Sequence, residues 1–172
     1  MYRGKDVLLT REPGGNPSCE FVRDLLLHHT WEPTTEAFLF NASRHEHCKK
    51  VIEPALKEGK IVVCDRFMDS TIAYQGYGLG ISLAFLKALQ DYAVTRLPTR
   101  TFIFDLDPTI AQERLQKRLN NNSIDARSLS FHQRVREGFL AIARENTERC
   151  IVLDACEEQE KLHERLRSHI IL

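Results

Sequence analysis

The sequence predicts a doubly wound α/β domain, a parallel sheet with helices on both faces, and three observations point to it. Four short runs, DVLLT (6–10), KIVVCD (60–65), RTFIFDL (100–106) and CIVLD (150–154), are rich in Val, Ile, Leu and Phe without strict alternation, as strands buried on both faces of a parallel sheet are. Helical segments separate these runs, and alternating strands and helices imply right-handed crossovers. The 172 residues suit one domain with a substantial core. No internal repeat or Ser/Gly-rich linker divides them, so 1–172 is read as a single domain.

The elements follow in chain order. After the first strand, residues 17–28 carry Phe21, Val22, Leu25, Leu26 and Leu27 behind Pro17, which a first helical turn tolerates. Residues 34–58 read as one long helix capped by Thr34 or Thr35, with Glu36 in its first turn. Pro54 tightens its last turns and Gly59 ends it. Helices are expected over 81–95, 108–120, 129–146 and 157–170, and Asp107-Pro108 supplies a cap and a first-turn proline. The polar tract 119–128, LNNNSIDARS, is the one convincing flexible loop. The opening strand DVLLT is too apolar for an exposed sheet edge.

Composition narrows the function. Lys plus Arg and Asp plus Glu both number 24, so the chain lacks the basic field of a nonspecific nucleic-acid binder. A basic site must be local. Five scattered cysteines with no CxxC pair suit reduced thiols in the cytoplasm. No apolar run approaches the roughly 18 residues of a membrane span, and the N-terminus has no signal-peptide core.

Chemistry gathers where strands end, because ligands of open α/β sheets sit beyond the strands' carboxyl ends. KIVVCD ends in Asp65 and Arg66. Asp65 there suits presentation to Mg²⁺ through water, and Arg66 suits a bidentate phosphate grip. A helix cap and a surface ion pair account for the two equally well. DVLLT runs into Arg11-Glu12-Pro13-Gly14-Gly15. A Pro-Gly type II turn explains those glycines but leaves the arginine unexplained. Phe40 and Arg44 share a helical face, suited to stacking on a planar base and bonding its edge, or to a core phenylalanine beside a solvated arginine. Arg114, Arg118 and Arg127 flank the polar loop, with Arg134 and Arg136 beyond. They suit closure over a phosphoryl group or simply a solvated helix face. The glycines of GYGLG (76–80) do not have dinucleotide-fingerprint spacing. His45, His47 and Cys48 lack a second ligand pair for zinc, and no role is assigned to His28, His29, His132, His163 or His169.

Taken in order, TREPGG (10–15), FLFNASRHEH (38–47), IEPALKEGKIVVCDRFMDSTIAYQGYG (52–78), FDLDP (104–108), RLQKR (114–118) and FHQRVREGFLAIA (131–143) resemble the bacterial thymidylate kinase (dTMP kinase) family along nearly the whole chain. The resemblance implies a P-loop NTPase-like, nucleoside monophosphate kinase fold and transfer of the γ-phosphoryl of ATP to dTMP, giving dTDP. It implies that Phe40 stacks on thymine, that Arg44 bonds the base edge, and that Arg66 contacts the dTMP phosphate with Arg11 close by. It further implies that Thr71, Tyr74 and Gln75 lie along base and sugar, where tyrosine bulk favours deoxyribose, that Asp65 stands near Mg²⁺, that Arg118 and Arg127 belong to the lid, and that the protein forms a homodimer. This sequence departs from the family in reading DARS (125–128) for a DRxE-like lid pattern, in lacking acidic residues before RVR, and in placing Phe139 where tyrosine is common.

A P-loop kinase holds ATP with G-x-x-x-x-G-K-[ST], and these 172 residues contain no such motif. The family carries it on a strand and helix before TREPGG. The expectation is an N-terminally truncated chain lacking that first strand and loop, a βα unit of roughly 25–30 residues, with a dTMP-binding protein without turnover as the alternative function.

Overall fold

The computed structural model describes residues 4–116 and 123–170. Strands β1 (Val7–Arg11), β2 (Ile61–Asp65), β3 (Thr101–Asp105) and β4 (Cys150–Asp154) lie within a residue of the four apolar runs. Every described pairing is parallel, β1 with β2 and β3 with β4. Among the described residues the parallel α/β arrangement divides into two two-stranded ladders, with β2 not hydrogen-bonded to β3. Leu9 and Val63, opposite each other in the register, are 75% and 50% exposed. Apolar content identifies each strand, whereas strand neighbours depend on what packs between them.

Side chains link the ladders. Asp69, just past β2, takes two bonds from Arg149, at 2.7 and 2.8 Å, beside the start of β4. Arg149 also donates to Thr101 Oγ1 on β3 at 2.8 Å.

Helix α1 (Pro17–His28) is capped by Asn16, whose Oδ1 accepts from Cys19 N at 2.8 Å. The long helix expected over 34–58 is three pieces: α2 (Pro33–His47), a π-helical segment (Cys48–Ile52) and α3 (Glu53–Lys57). Its cap is Glu32 rather than Thr34 or Thr35, because Pro33 takes the first helical position and the carboxylate before it accepts from both threonine N–H groups. Between β2 and β3 run α4 (Met68–Thr71), a second π-helical segment (Ile72–Gly78) and α5 (Leu83–Ala93). The first two were not legible as helix, since Ser, Thr and Gly are weak helix formers. Packing supplies what propensity lacks. Helices α6 (Pro108–Gln116), α7 (Leu129–Glu145) and α8 (Gln159–His169) complete the chain.

The core lies where the second π segment meets α7, with Ile72, Ala73, Phe131, Val135, Ile142 and Ala143 buried together. A Cβ on Gly138 would stand 2.9 Å from the Tyr77 ring and 3.0 Å from Ala73 Cα, so only glycine permits this approach. That contact fixes the π turn carrying Tyr74 and Gln75. Wide turns of this kind often occur at functional sites.

Candidate acceptor-nucleotide cleft

The turn after β1 and the segment after β2 share one end of the first ladder. Arg11 stands opposite Asp65, and Glu12 N donates to Asp65 O at 2.9 Å. Beyond them opens a cleft of about 500 Å³ lined by Phe40, Arg44, Arg66, Thr71, Tyr74 and Gln75, with Glu12, Arg23, Arg114 and His132 also on its wall.

The floor is a closed set of buried polar side chains. Arg44, 2% exposed, donates Nε–H to Glu12 at 2.6 Å, Nη1–H to Thr71 Oγ1 at 2.7 Å and to Asn41 Oδ1 at 3.5 Å, and Nη2–H to Phe67 O at 3.3 Å. A guanidinium has five N–H donors, so one on Nη2 is left for the cleft. The other Glu12 oxygen meets His47 Nδ1 at 3.0 Å, and His47 Nε2 meets Thr10 Oγ1 at 2.7 Å. Gly15 closes over His47: its φ is +95°, and a Cβ there would lie 2.6 Å from the imidazole. Burying charge is tolerable only when it is paired and hydrogen-bonded, and every charge on this floor is.

Gln75, also buried, donates Nε2–H to Glu36 Oε1 at 2.8 Å. The second Glu36 oxygen accepts from Arg127 Nη2. Arg127 lies over the Phe131 ring at 4.8 Å, and its Nη1 is buried without a hydrogen-bond partner among the described residues.

The rim differs. Arg66 and Asp65 are exposed. Arg66 has φ +64°, the one positive value among the described non-glycine residues, and such strain clusters at functional positions. Its Nη1 donates to Tyr74 Oη at 3.0 Å and its guanidinium lies 5.0 Å from the Tyr74 ring centre. Asp65's carboxylate makes no hydrogen bond or ion pair among the described residues. Arg11 turns away to Glu20, at 3.0 and 3.2 Å, and does not line the cleft. The Gly15 N–H, and after it the Arg11 guanidinium, hold the Glu20 carboxyl below its usual range. Burial, then the Glu12 carboxylate, pushes the neighbouring Cys64 thiol up.

Six of the expected residues, Phe40, Arg44, Arg66, Thr71, Tyr74 and Gln75, are thus brought to one cleft. Arg11 is beside it but paired elsewhere. Asp65 ends the strand at its mouth. Arg127 lines an adjoining hollow of about 170 Å³ with Tyr74 and His132. Arg118 and residues 119–122 of the expected lid lie outside the described residues. From Ser123 onward the loop is tied back to α1, with Ser123 N on Leu27 O and its hydroxyl on Leu26 O, both at 3.2 Å.

Sequence reading missed Glu12, Arg23, Glu36, His47 and His132. His47 lies three residues after Arg44, so it shares that helical face, and this was the signal available. Glu36 has the place of a first-turn acid, and nothing local marks it as a partner of Gln75, 39 positions away.

A thymidylate kinase family model matches residues 2–166. The thymidylate kinase of Wolbachia sp. subsp. Brugia malayi is 44% identical over 160 residues, covering 93% of this chain and 77% of the relative. That of Geobacillus sp. is 45% identical over 159 residues, covering 89% and 76%. Among solved structures, thymidylate kinase from Ehrlichia chaffeensis superposes with a TM-score of 0.80 at 37% identity, over 96% of this chain and 82% of that one.

Proposed function

The chain belongs to the thymidylate kinase family, and from that premise we propose that its cleft is the dTMP site of an enzyme transferring the γ-phosphoryl of ATP to dTMP to give dTDP. The observation carrying this reading is the convergence of Phe40, Arg44, Arg66, Thr71, Tyr74 and Gln75 on one cleft of about 500 Å³, within the usual size of small-ligand sites. Phe40 offers a ring face, Arg44 and Gln75 offer polar atoms beside it, and Arg66 offers charge at the exposed end. A nucleotide has the same sequence of parts: base, sugar, phosphate.

Asp65 fits a magnesium ion held through water. It is an exposed, unshared carboxylate at a strand end, and Mg²⁺ is commonly bound by one or two carboxylates together with substrate phosphates and waters. Bound there, the ion supplies charge neutralisation. Arg66, exposed beside it, is placed to grip the acceptor phosphate. Of the two lid arginines, Arg127 is engaged by Glu36 and Arg118 lies outside the described residues. In this reading 119–128 is the lid, and the enzyme is a cytoplasmic homodimer. No described helix is long and apolar enough to cross a membrane. A monomer mass by gel filtration would contradict the dimer.

A phosphoryl-transfer assay with dTMP, ATP and Mg²⁺, run alongside dTMP binding, tests the function. Formation of dTDP would support the kinase reading, and R66A should depress it. Binding of dTMP without dTDP would assign the chain to binding alone, and the absence of both would overturn the reading.

A further inference from the structure

Gln75 lines the cleft, and one end of its carboxamide is held by Glu36. The two ends differ chemically: Nε2 donates and Oε1 accepts. Glu36 is 3% exposed and paired with Arg127, so it is a carboxylate that only accepts hydrogen bonds. With Nε2 held to it at 2.8 Å, a flip of the amide would set oxygen against oxygen in a buried site, leaving both unsatisfied. Glu36 therefore fixes the sense of the amide, and Oε1 is the end opposite Glu36.

Arg44 lines the same wall with one Nη2–H left over, and arginine has no acceptor. The wall thus offers a fixed donor and a fixed acceptor. A pyrimidine with a 4-oxo group and an N3–H is complementary to that pair. Cytosine, with a 4-amino donor and a bare N3, has the opposite pattern. We propose that Glu36, which does not line the cleft, is a positioning residue that sets base specificity: by locking the Gln75 amide it makes the site accept 4-oxo pyrimidines and reject 4-amino ones. Arg127 supports it by holding the second carboxylate oxygen.

This inference rests on the cleft being the acceptor-nucleotide site, and one experiment separates the two claims. The affinities of dTMP and dCMP are measured for the wild type, for E36Q and for the swap E36Q/Q75E, with thermal unfolding recorded for each. Wild type should prefer dTMP. In E36Q the new amide can donate as well as accept, Gln75 is free to flip, and the preference should fall about tenfold or more, the scale on which paired hydrogen bonds discriminate bases. The swap restores an obligate acceptor at position 75 and should recover part of the preference. A folded E36Q with wild-type preference overturns the role of Glu36 while leaving the acceptor site standing. If E36Q does not fold, the swap decides, and a folded swap with no preference overturns the role. A wild type that binds neither nucleotide overturns the acceptor reading itself, and the inference with it. General damage to the fold would weaken both nucleotides together and leave their ratio unchanged.

Discussion

Arg44 and Arg66 face the same cleft under opposite conditions. Arg44, on the floor, is buried and spends four N–H donors on Glu12, Thr71, Asn41 and Phe67. Arg66, on the rim, is exposed, sits in a left-handed conformation and donates to Tyr74. The floor is rigid because its charges exist only in each other's company. The rim keeps its charges available to solvent and to a phosphate. In the proposed reading this is a division of labour: the floor is assigned to the base, the rim to the phosphate.

The largest expected effect breaks the floor. R44M leaves Glu12 buried beside an apolar chain, and removing one partner of a buried ion pair costs about 3–5 kcal/mol. Urea unfolding should show that loss, and dTMP binding should disappear with it. Unchanged stability would mean the floor is not interlocked. D69N is the control away from the cleft. It breaks the bidentate link between the ladders, partly buried, and should cost about 3 kcal/mol in the same urea measurement. Any D69N protein that folds should bind dTMP as wild type does.

On the rim, stability and affinity should separate. R66G relieves a left-handed residue, a conformation costing roughly 1–2 kcal/mol for a side-chain-bearing residue, so its melting temperature should rise. Its dTMP affinity should nevertheless drop by about 1.5–3 kcal/mol, as expected for a charge-assisted hydrogen bond, with thymidine binding unchanged. Equal losses for thymidine and dTMP would remove Arg66 from the phosphate. F40A should weaken dTMP by about 1–3 kcal/mol, the range for base stacking on an aromatic ring, read by calorimetry.

The smallest effect concerns pH. The Arg136 guanidinium holds Asp105 below its ordinary value of 3.8, and the Gly15 N–H holds Glu20 below 4.5. Folded values below unfolded ones give stability that is fully present above the unfolded pKa and is lost as pH falls through the folded pKa. The melting temperature should therefore start to fall below about pH 4.5 and continue below 3.8. R136M should flatten the Asp105 share of that decline.

Much of this was legible in the sequence because it is local. Four apolar runs marked four strands, Pro17 and Pro108 sit where helices begin, and strand ends placed Asp65 and Arg66 at the mouth of the cleft. All the misses but one are long-range. Glu32 displaced Thr34 as a cap through Pro33, a local effect overlooked. The π turn over Ile72–Gly78 packs against α7 where Gly138 allows a close approach, which no property of the segment itself reveals. Glu36, His47 and the pairing of Arg11 with Glu20 became visible only when distant segments met. The separation of the strands into two ladders likewise concerns neighbours, which strand composition does not encode.

Titration of the wild-type chain with dTMP while following thermal unfolding tests the central claim most directly. A ligand binding only the folded state adds RT ln(1 + [L]/Kd), about 2.7 kcal/mol at a hundredfold excess over Kd. The melting temperature should climb with dTMP concentration, less steeply with dCMP, and not with dTMP in R44M. A cooperative melt unmoved by millimolar dTMP would contradict that claim.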